Sequence, residues 1–386
     1  MSTPAYFAIP PQFQDQLEHA EPLDDRTNDE ILESLTHHRP VTGEKNLWGF
    51  WHAGVQTMPE WCKRNVADWH RICGPSWTIR ILDTVPGSSN HALKHHGWPL
   101  RRPHSADFVR GATLALHGGI FMDVGIILTR SLDRICWSIL EDPSTPYQVC
   151  VPWMYGLLIA NHFTASRKGD PFITRWHQLF IHAWKHRTNF KGMSQNPLFE
   201  FAQSFDFAVS REHGFTWDFN VDPTTVYEYI TQVLAWLRLC RLEDAGDGFC
   251  GADYAIDNIL WFHCLAENWG IEEKIGFEGQ NVFDLLATRL DADPESEEYK
   301  SAYNVVWHHL ARCSMQKIAH GKNLTATPAL GVLWDRAENE GRDIESGTFA
   351  ELLRYGTTHF RQTREGIQFI KVERAKQTMR KGVLEP

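Results

Sequence analysis

The stretch from Ser105 to Thr129 constrains the fold more than any other part of the chain. It reads Ser-Ala-Asp-Phe-Val-Arg-Gly-Ala-Thr-Leu-Ala-Leu-His-Gly-Gly-Ile-Phe-Met-Asp-Val-Gly-Ile-Ile-Leu-Thr. Phe108, Ala112, Ala115 and Leu116 recur at helical spacing and predict an amphipathic helix. Ser105 is placed to cap it by accepting a backbone N–H bond, and Asp107 suits its positive end. Gly118 suits the left-handed conformation that stops a helix, and Gly119 leaves room for close backbone approach. The apolar, β-branched run from Ile120 predicts a buried strand. Asp123 interrupts it. A buried, unpaired carboxylate is costly, so Asp123 is expected at the open end of the strand, facing a ligand or metal.

The flanking segments extend this unit. Lys45 to His52 reads as a short strand ending in aromatic and imidazole groups, and Trp61, Val66 and Trp69 predict a helix over Pro59 to Arg71. Trp77 to Leu82 alternates as a second strand and ends at the turn Asp83-Thr-Val-Pro-Gly. Strand, helix, strand, helix and strand in succession predict an α/β fold with a Rossmann-like, mostly parallel sheet and ligands at the carboxyl ends of its strands. Pro152 to Pro171 reads as a further strand and turn containing Asn161, and Pro171 to Lys185 as a helix. From Thr224 the pattern is largely helical, over Tyr227 to Leu242, Ala252 to Asn268, Glu295 to His320 and Phe349 to Tyr355. The expected organisation is a flexible arm over 1–40, an α/β core over 41–222, a helical region over 223–360 and a basic tail over 361–386.

The totals limit the function classes. A chain of 386 residues suits one large domain with an extension, or two domains sharing a cleft. Its formal net charge of −10 argues against indiscriminate binding to nucleic acid or anionic membranes, while local basic patches remain open. No apolar run has the length of a membrane span, and Met1 to Asp24 lacks a signal-peptide pattern, so a cytoplasmic protein is expected. The eight cysteines form no C-x-x-C pair and read as reduced core thiols. Lys94 to His104 is rich in His and Arg and reads either as a phosphate cradle or as a solvated loop. Arg110 reads either as an i, i+3 partner of Asp107 or as a site residue.

Ser105-Ala-Asp-Phe-Val-Arg110 followed by Gly118-Gly119-Ile-Phe-Met-Asp123 resembles the core of family 32 and capsular-polysaccharide-type glycosyltransferases of the GT-A fold. Trp51-His52 and Trp77 to Asp83 resemble that family's first two strands, and Asn161 ahead of a basic Gly-x-Pro turn also fits. The resemblance spans residues 45–185 and implies a GT-A-like fold. It also implies that Asp107 contacts a nucleotide, and that an Asp-x-Asp motif holds Mn or Mg against the diphosphate of a nucleotide sugar. Here the second acidic position is Gly125.

Phe50-Trp-His-x-Gly-Val, the Asp83 turn, Asp-Val-Gly and the long helical half are similar to a fungal branch that includes arginine-containing cyclodipeptide synthases. That likeness implies a cytoplasmic transferase of secondary metabolism that joins arginine from arginyl-tRNA to a second aminoacyl group, releases a diketopiperazine and needs no cofactor. Asp107 and Asp123, with Asp253 or Asp257, would bind the guanidinium, and His52 or His104 would be the base. Trp51, Asp83, Arg110, Gly119 and Asn161 would line the substrate site. The Lys94–His104 loop and the basic tail would hold the aminoacyl-tRNA partner. Two alternatives stand beside it. One is sugar transfer to a small molecule, with Asp123 at the diphosphate (and its metal) and Asp107 on the nucleoside; the other is a degenerate, non-catalytic binding protein.

Overall fold

The computed structural model describes residues 7–92, 104–206, 208–318 and 324–386. Short apolar runs form its central sheet: β1 (Asn46–Phe50), β2 (Thr78–Leu82), β3 (Gly119–Met122), β4 (Val149–Met154), β5 (Phe163–Ser166), β6 (Ile259–His263) and β7 (Phe369–Ile370). Their spatial order is β2-β1-β3-β5-β4-β6-β7, and Leu158–Ile159 pairs with β4 off this path. β1 is parallel to both β2 and β3, with Trp48 opposite Arg80 and Phe121. β5 runs antiparallel to β3 and β4, β6 is parallel to β4, and β7 is antiparallel to β6. The sheet is mixed and mostly parallel.

Alternate residues of these strands enter different cores, as the two-residue strand period requires. Leu47, Ile120, Met122, Leu260 and Phe262 join one apolar cluster. Trp48, Phe121, Ile259 and Trp261 join the other. Helices α1 (Glu60–Cys73), α5 (Glu297–Arg312) and α6 (Phe349–His359) cover the first face, through residues such as Val66, Val306 and Leu352. Helices α2 (Ser105–His117), α3 (Pro171–Ala183) and α4 (Thr231–Leu239) cover the second, through Phe108, Phe172 and Leu234. The result is a layer of helices on each side of one sheet. Asp170 starts α3 by accepting from the Phe172 and Ile173 N–H groups at 2.9 and 2.8 Å.

Several expected elements differ. The helix expected over Ala252 to Asn268 is a helix (Gly251–Asp257), strand β6 and a second short helix (Cys264–Asn268). Ile-Leu-Trp-Phe is buried on both faces, so its hydrophobicity carries no periodic signal to separate strand from helix. The expected helix over Tyr227 to Leu242 divides at Ile230 into Pro223–Tyr229 and α4. α5 stops at Arg312, and Met315–Lys317 follows as a strand paired with Ile126–Leu128. The run expected as one strand from Ile120 therefore leaves the central sheet at Asp123. Ser105 does not cap α2: His104 holds the cap position at φ 30°, with no side-chain capping bond.

Leu17–His19 pairs with Phe360–Gln362, and Asn28–Ser34 is a helix closed by a Thr27–Glu30 capping box. All eight cysteines are free, so no disulfide contributes to the fold. Among the described residues no helix is long and apolar enough to cross a membrane.

Candidate active site

The adjacent parallel strands β1 and β3 both open at their carboxyl ends onto a cavity of about 510 Å³. Phe50, the last residue of β1, and His52 line it from one side, and Asp123, the first residue past β3, lines it from the other. The Asp123 N–H donates to the His162 carbonyl at 2.9 Å, which fixes the point where the chain departs from the sheet. Helix α2 contributes Asp107 and Arg110, three residues apart and so on one face. Asn161, Gln232 and Tyr229 complete a polar wall.

Arg110 is the hub. Its Nη2 donates to Asp123 Oδ1 at 3.1 Å, its Nη1 donates to Asp107 Oδ1 and Gln232 Oε1, and its guanidinium carbon lies 4.6 Å from the Phe121 ring centre. Lys317 Nζ donates to the other oxygen of Asp123 at 2.7 Å. Asn161 Nδ2 donates to Gln232 Oε1 at 2.9 Å and to Asp107 Oδ1 at 3.3 Å. Gln232 Nε2 donates to the Asp107 carbonyl at 2.6 Å, which ties α4 to the first turn of α2. His104 Nδ1 donates to Asp107 Oδ2 at 2.7 Å, and its ring sits among Trp184, Phe190 and Tyr229 at 4.9–5.6 Å between ring centres.

These contacts set the charges. Burial opposes ionisation of Asp123, but the Lys317 ammonium and then the Arg110 guanidinium outweigh it and hold the carboxyl well below the usual carboxylate range. Asp107 is also held low, since Arg110 and His104 outweigh its burial. Burial, with Lys317 beside it, pushes His162 down to about 3, and its Nε2 lies 2.6 Å from Asn268 Nδ2. The cavity is therefore lined by two carboxylates and the Arg110 guanidinium, with the Lys317 ammonium bonded to Asp123.

Of the residues singled out in the sequence, Asp123, Asp107, His52, His104, Arg110 and Asn161 meet at this cavity. Four do not. Trp51 Nε1 donates to Thr57 Oγ1 at 3.1 Å. Asp83 closes its own turn, accepting from the Val85 N–H and the Ser88 hydroxyl. Gly119, at φ 97°, is a packing requirement, because a Cβ there would lie 2.4 Å from the Asn46 carbonyl oxygen. Asp253 accepts from Arg374 Nε at 2.7 Å at the surface, away from the cavity. Gln232, Tyr229 and Lys317 were not singled out. Lys317 alone carries a readable signal, a lysine that breaks the apolar–polar alternation Cys-Ser-Met-Gln after a helix end.

The donor set does not fit a resident divalent ion. Mg and its relatives require several oxygen ligands, whereas Asp123 gives one oxygen to Arg110 and the other to Lys317. Both oxygens of Asp107 are likewise engaged by Arg110, Asn161 and His104. Among the described residues no group of three His, Cys, Asp or Glu side chains is arranged to hold a metal.

A second cavity, of about 400 Å³, is lined by Arg71, Arg130, Arg134 and Arg361. These guanidinium groups are engaged within the protein. Arg130 and Arg134 donate to the carbonyls of residues 362, 364 and 365, Arg71 pairs with Asp68 and Arg361 with Glu18.

The family model of the capsular polysaccharide synthesis protein matches residues 9–192. Probable glycosyltransferase FCK3 of Fusarium pseudograminearum (strain CS3096) is 48% identical over 400 residues, covering 98% of this chain and 100% of that one. This chain belongs to that family of glycosyltransferases. O-glycosyltransferase braB of Annulohypoxylon truncatum is 34% identical, covering 94% of this chain and 91% of the relative. O-glycosyltransferase PaGT of Phomopsis amygdali is 35% identical, covering 94% and 93%.

Membership in a glycosyltransferase family along nearly the whole chain overturns the expectation of arginyl-tRNA-dependent cyclodipeptide synthesis, and with it the aminoacyl-tRNA partner. Three arginines of the basic tail are also paired within the protein: Arg364 grips Glu267 with two bonds of 2.8 Å, Arg374 pairs with Asp253 and Arg380 with Glu243. Of the Lys94–His104 loop, residues 94–103 lie outside the described residues, and His104 is buried against Asp107.

Proposed function

We propose that this chain moves a glycosyl group from a nucleotide sugar to the hydroxyl oxygen of a small molecule, on a GT-A-like fold. The observation that carries the reading is the Asp123–Arg110–Asp107 cluster, which opens on a cavity at the carboxyl ends of two adjacent parallel strands. The names of two relatives support transfer to oxygen. In this reading the acceptor oxygen attacks the anomeric carbon as that carbon's bond to the β-phosphate oxygen breaks. The bonding pair leaves on the diphosphate, and the hydroxyl proton passes to the imidazole of His52, the exposed histidine at the cavity. Arg110 presents a charged fork to the phosphates. Asp107 holds Arg110 and His104 in place, since among the described residues its carboxylate bonds to them and to Asn161.

The test is an incubation with UDP-glucose, UDP-N-acetylglucosamine and GDP-mannose, each offered a panel of phenols and alcohols. Mass spectrometry should find an acceptor heavier by one glycosyl unit and a free nucleoside diphosphate in equal amount. If no donor is consumed and none raises the melting temperature at millimolar concentration, the reading fails.

A further inference from the structure

Gly125 stands where the Asp-x-Asp pattern has its second carboxylate, and the strand paired beside it brings an ammonium to Asp123. Met315–Lys317 runs antiparallel to Ile126–Leu128 with Lys317 opposite Ile126, and the Ile318 N–H donates to the Gly125 carbonyl at 2.9 Å. Lys317, its side chain 9% exposed, reaches Asp123 Oδ2 at 2.7 Å, while Arg110 reaches Oδ1 at 3.1 Å. The two oxygens that a metal would need are held by two protein cations.

We propose that Arg110 and Lys317 stand in for the divalent ion, so that the nucleoside diphosphate departs against fixed protein charge and the transfer needs no metal. This rests on the nucleotide-sugar reading above. Fixed charges aimed at developing negative charge need no reorganisation as the bond breaks. Donors are also left over. Arg110 Nε is buried without a partner among the described residues, and the Lys317 ammonium uses one of its three N–H groups on Asp123. Arg110 lines the cavity and is the contact for the phosphates. Lys317 acts through Asp123 and is a positioning residue, keeping that carboxylate ionised and set against Arg110. As the anomeric C–O bond breaks, its electron pair becomes a phosphate lone pair, Arg110 offsets the new charge, and neither cation gives up a proton.

The experiment measures binding of UDP and GDP by calorimetry, and glycosyl transfer, to the full-length protein in EDTA and again in manganese. One nucleotide should bind with a dissociation constant that agrees within about twofold between the two buffers, and transfer should persist in EDTA. Lys317→Met should weaken binding by roughly tenfold or more, and Lys317→Arg should restore most of it. Binding or transfer seen only with manganese overturns the metal-free inference while leaving the nucleotide-sugar reading intact. No binding in either buffer overturns both. The native-chain comparison decides even where a variant fails to fold.

Discussion

Two carboxylates, half-buried Asp123 and buried Glu272, flank the three-residue strand Met315–Lys317 and meet opposite fates. Lys317 reaches Asp123, and its neighbour Gln316 reaches Glu272, Nε2 to Oε2 at 2.6 Å. Consecutive strand residues face opposite ways, so one strand serves both acids. Asp123 receives two cations and opens on the large cavity; it stays ionised. Glu272 receives a neutral amide, and burial pushes its carboxyl up to about 7. A protonated Glu272 also suits Gln316 Oε1, which is otherwise buried without a partner: a turned amide would accept the carboxylic O–H. Burial alone therefore does not make a working acid. The comparison teaches that the partner's charge and the opening to solvent separate a site carboxylate from a structural one.

The comparison can be broken first at Arg110. Arg110→Met should cut glycosyl transfer by roughly 10²–10³-fold, the range for removing one preorganised charge partner, in steady-state rates. Rates within a few fold of native would make the cluster structural. Next is Glu272. Its carboxyl gains a proton on folding between its unfolded value of 4.5 and about 7, so stability should fall as pH rises through that window and then level off, a loss of about 3 kcal/mol. Glu272→Gln should remove this slope in urea titrations at pH 5 and pH 8; an unchanged slope would assign it elsewhere. Asp123 has the opposite sign. Its folded value is depressed, so its stabilisation is present above the usual carboxylate range and lost only as acid protonates it.

A smaller effect is expected at Asn161, which orients Asp107 and Gln232. Asn161→Ala should cost about 1 kcal/mol, several-fold in kcat/KM for the donor. The smallest is at Asp253, whose partner is the surface residue Arg374. Asp253→Asn should leave transfer unchanged, and a large loss would mean that the active site extends to that surface.

Much of the first half of the fold is legible in the sequence because its elements carry periodic signals. α1 follows the spacing of Trp61, Val66 and Trp69, β2 alternates, and Gly118-Gly119 marks the end of α2. Asp123 stands out for a similar reason, as a charge in an apolar run. The second half is less legible. β6 is apolar at every buried position and so has no period, and the α5 boundary depends on long-range pairing of Met315–Lys317 with Ile126–Leu128. Lys317 and Gln232 reach the site across 194 and 125 residues of chain, from their bonds to Asp123 and to the Asp107 carbonyl. No local pattern encodes such contacts. The basic tail misleads in the other direction. Arg364 is absorbed by Glu267, which lies 97 residues away in the chain and is buried to 1% exposure.

The most direct test is a crystal structure of the protein soaked with UDP or GDP. The diphosphate should lie in the Asp123 cavity, with its oxygens on the Arg110 guanidinium. Density for the diphosphate in the cavity lined by Arg71, Arg130, Arg134 and Arg361, with the Asp123 cavity empty, would contradict the account.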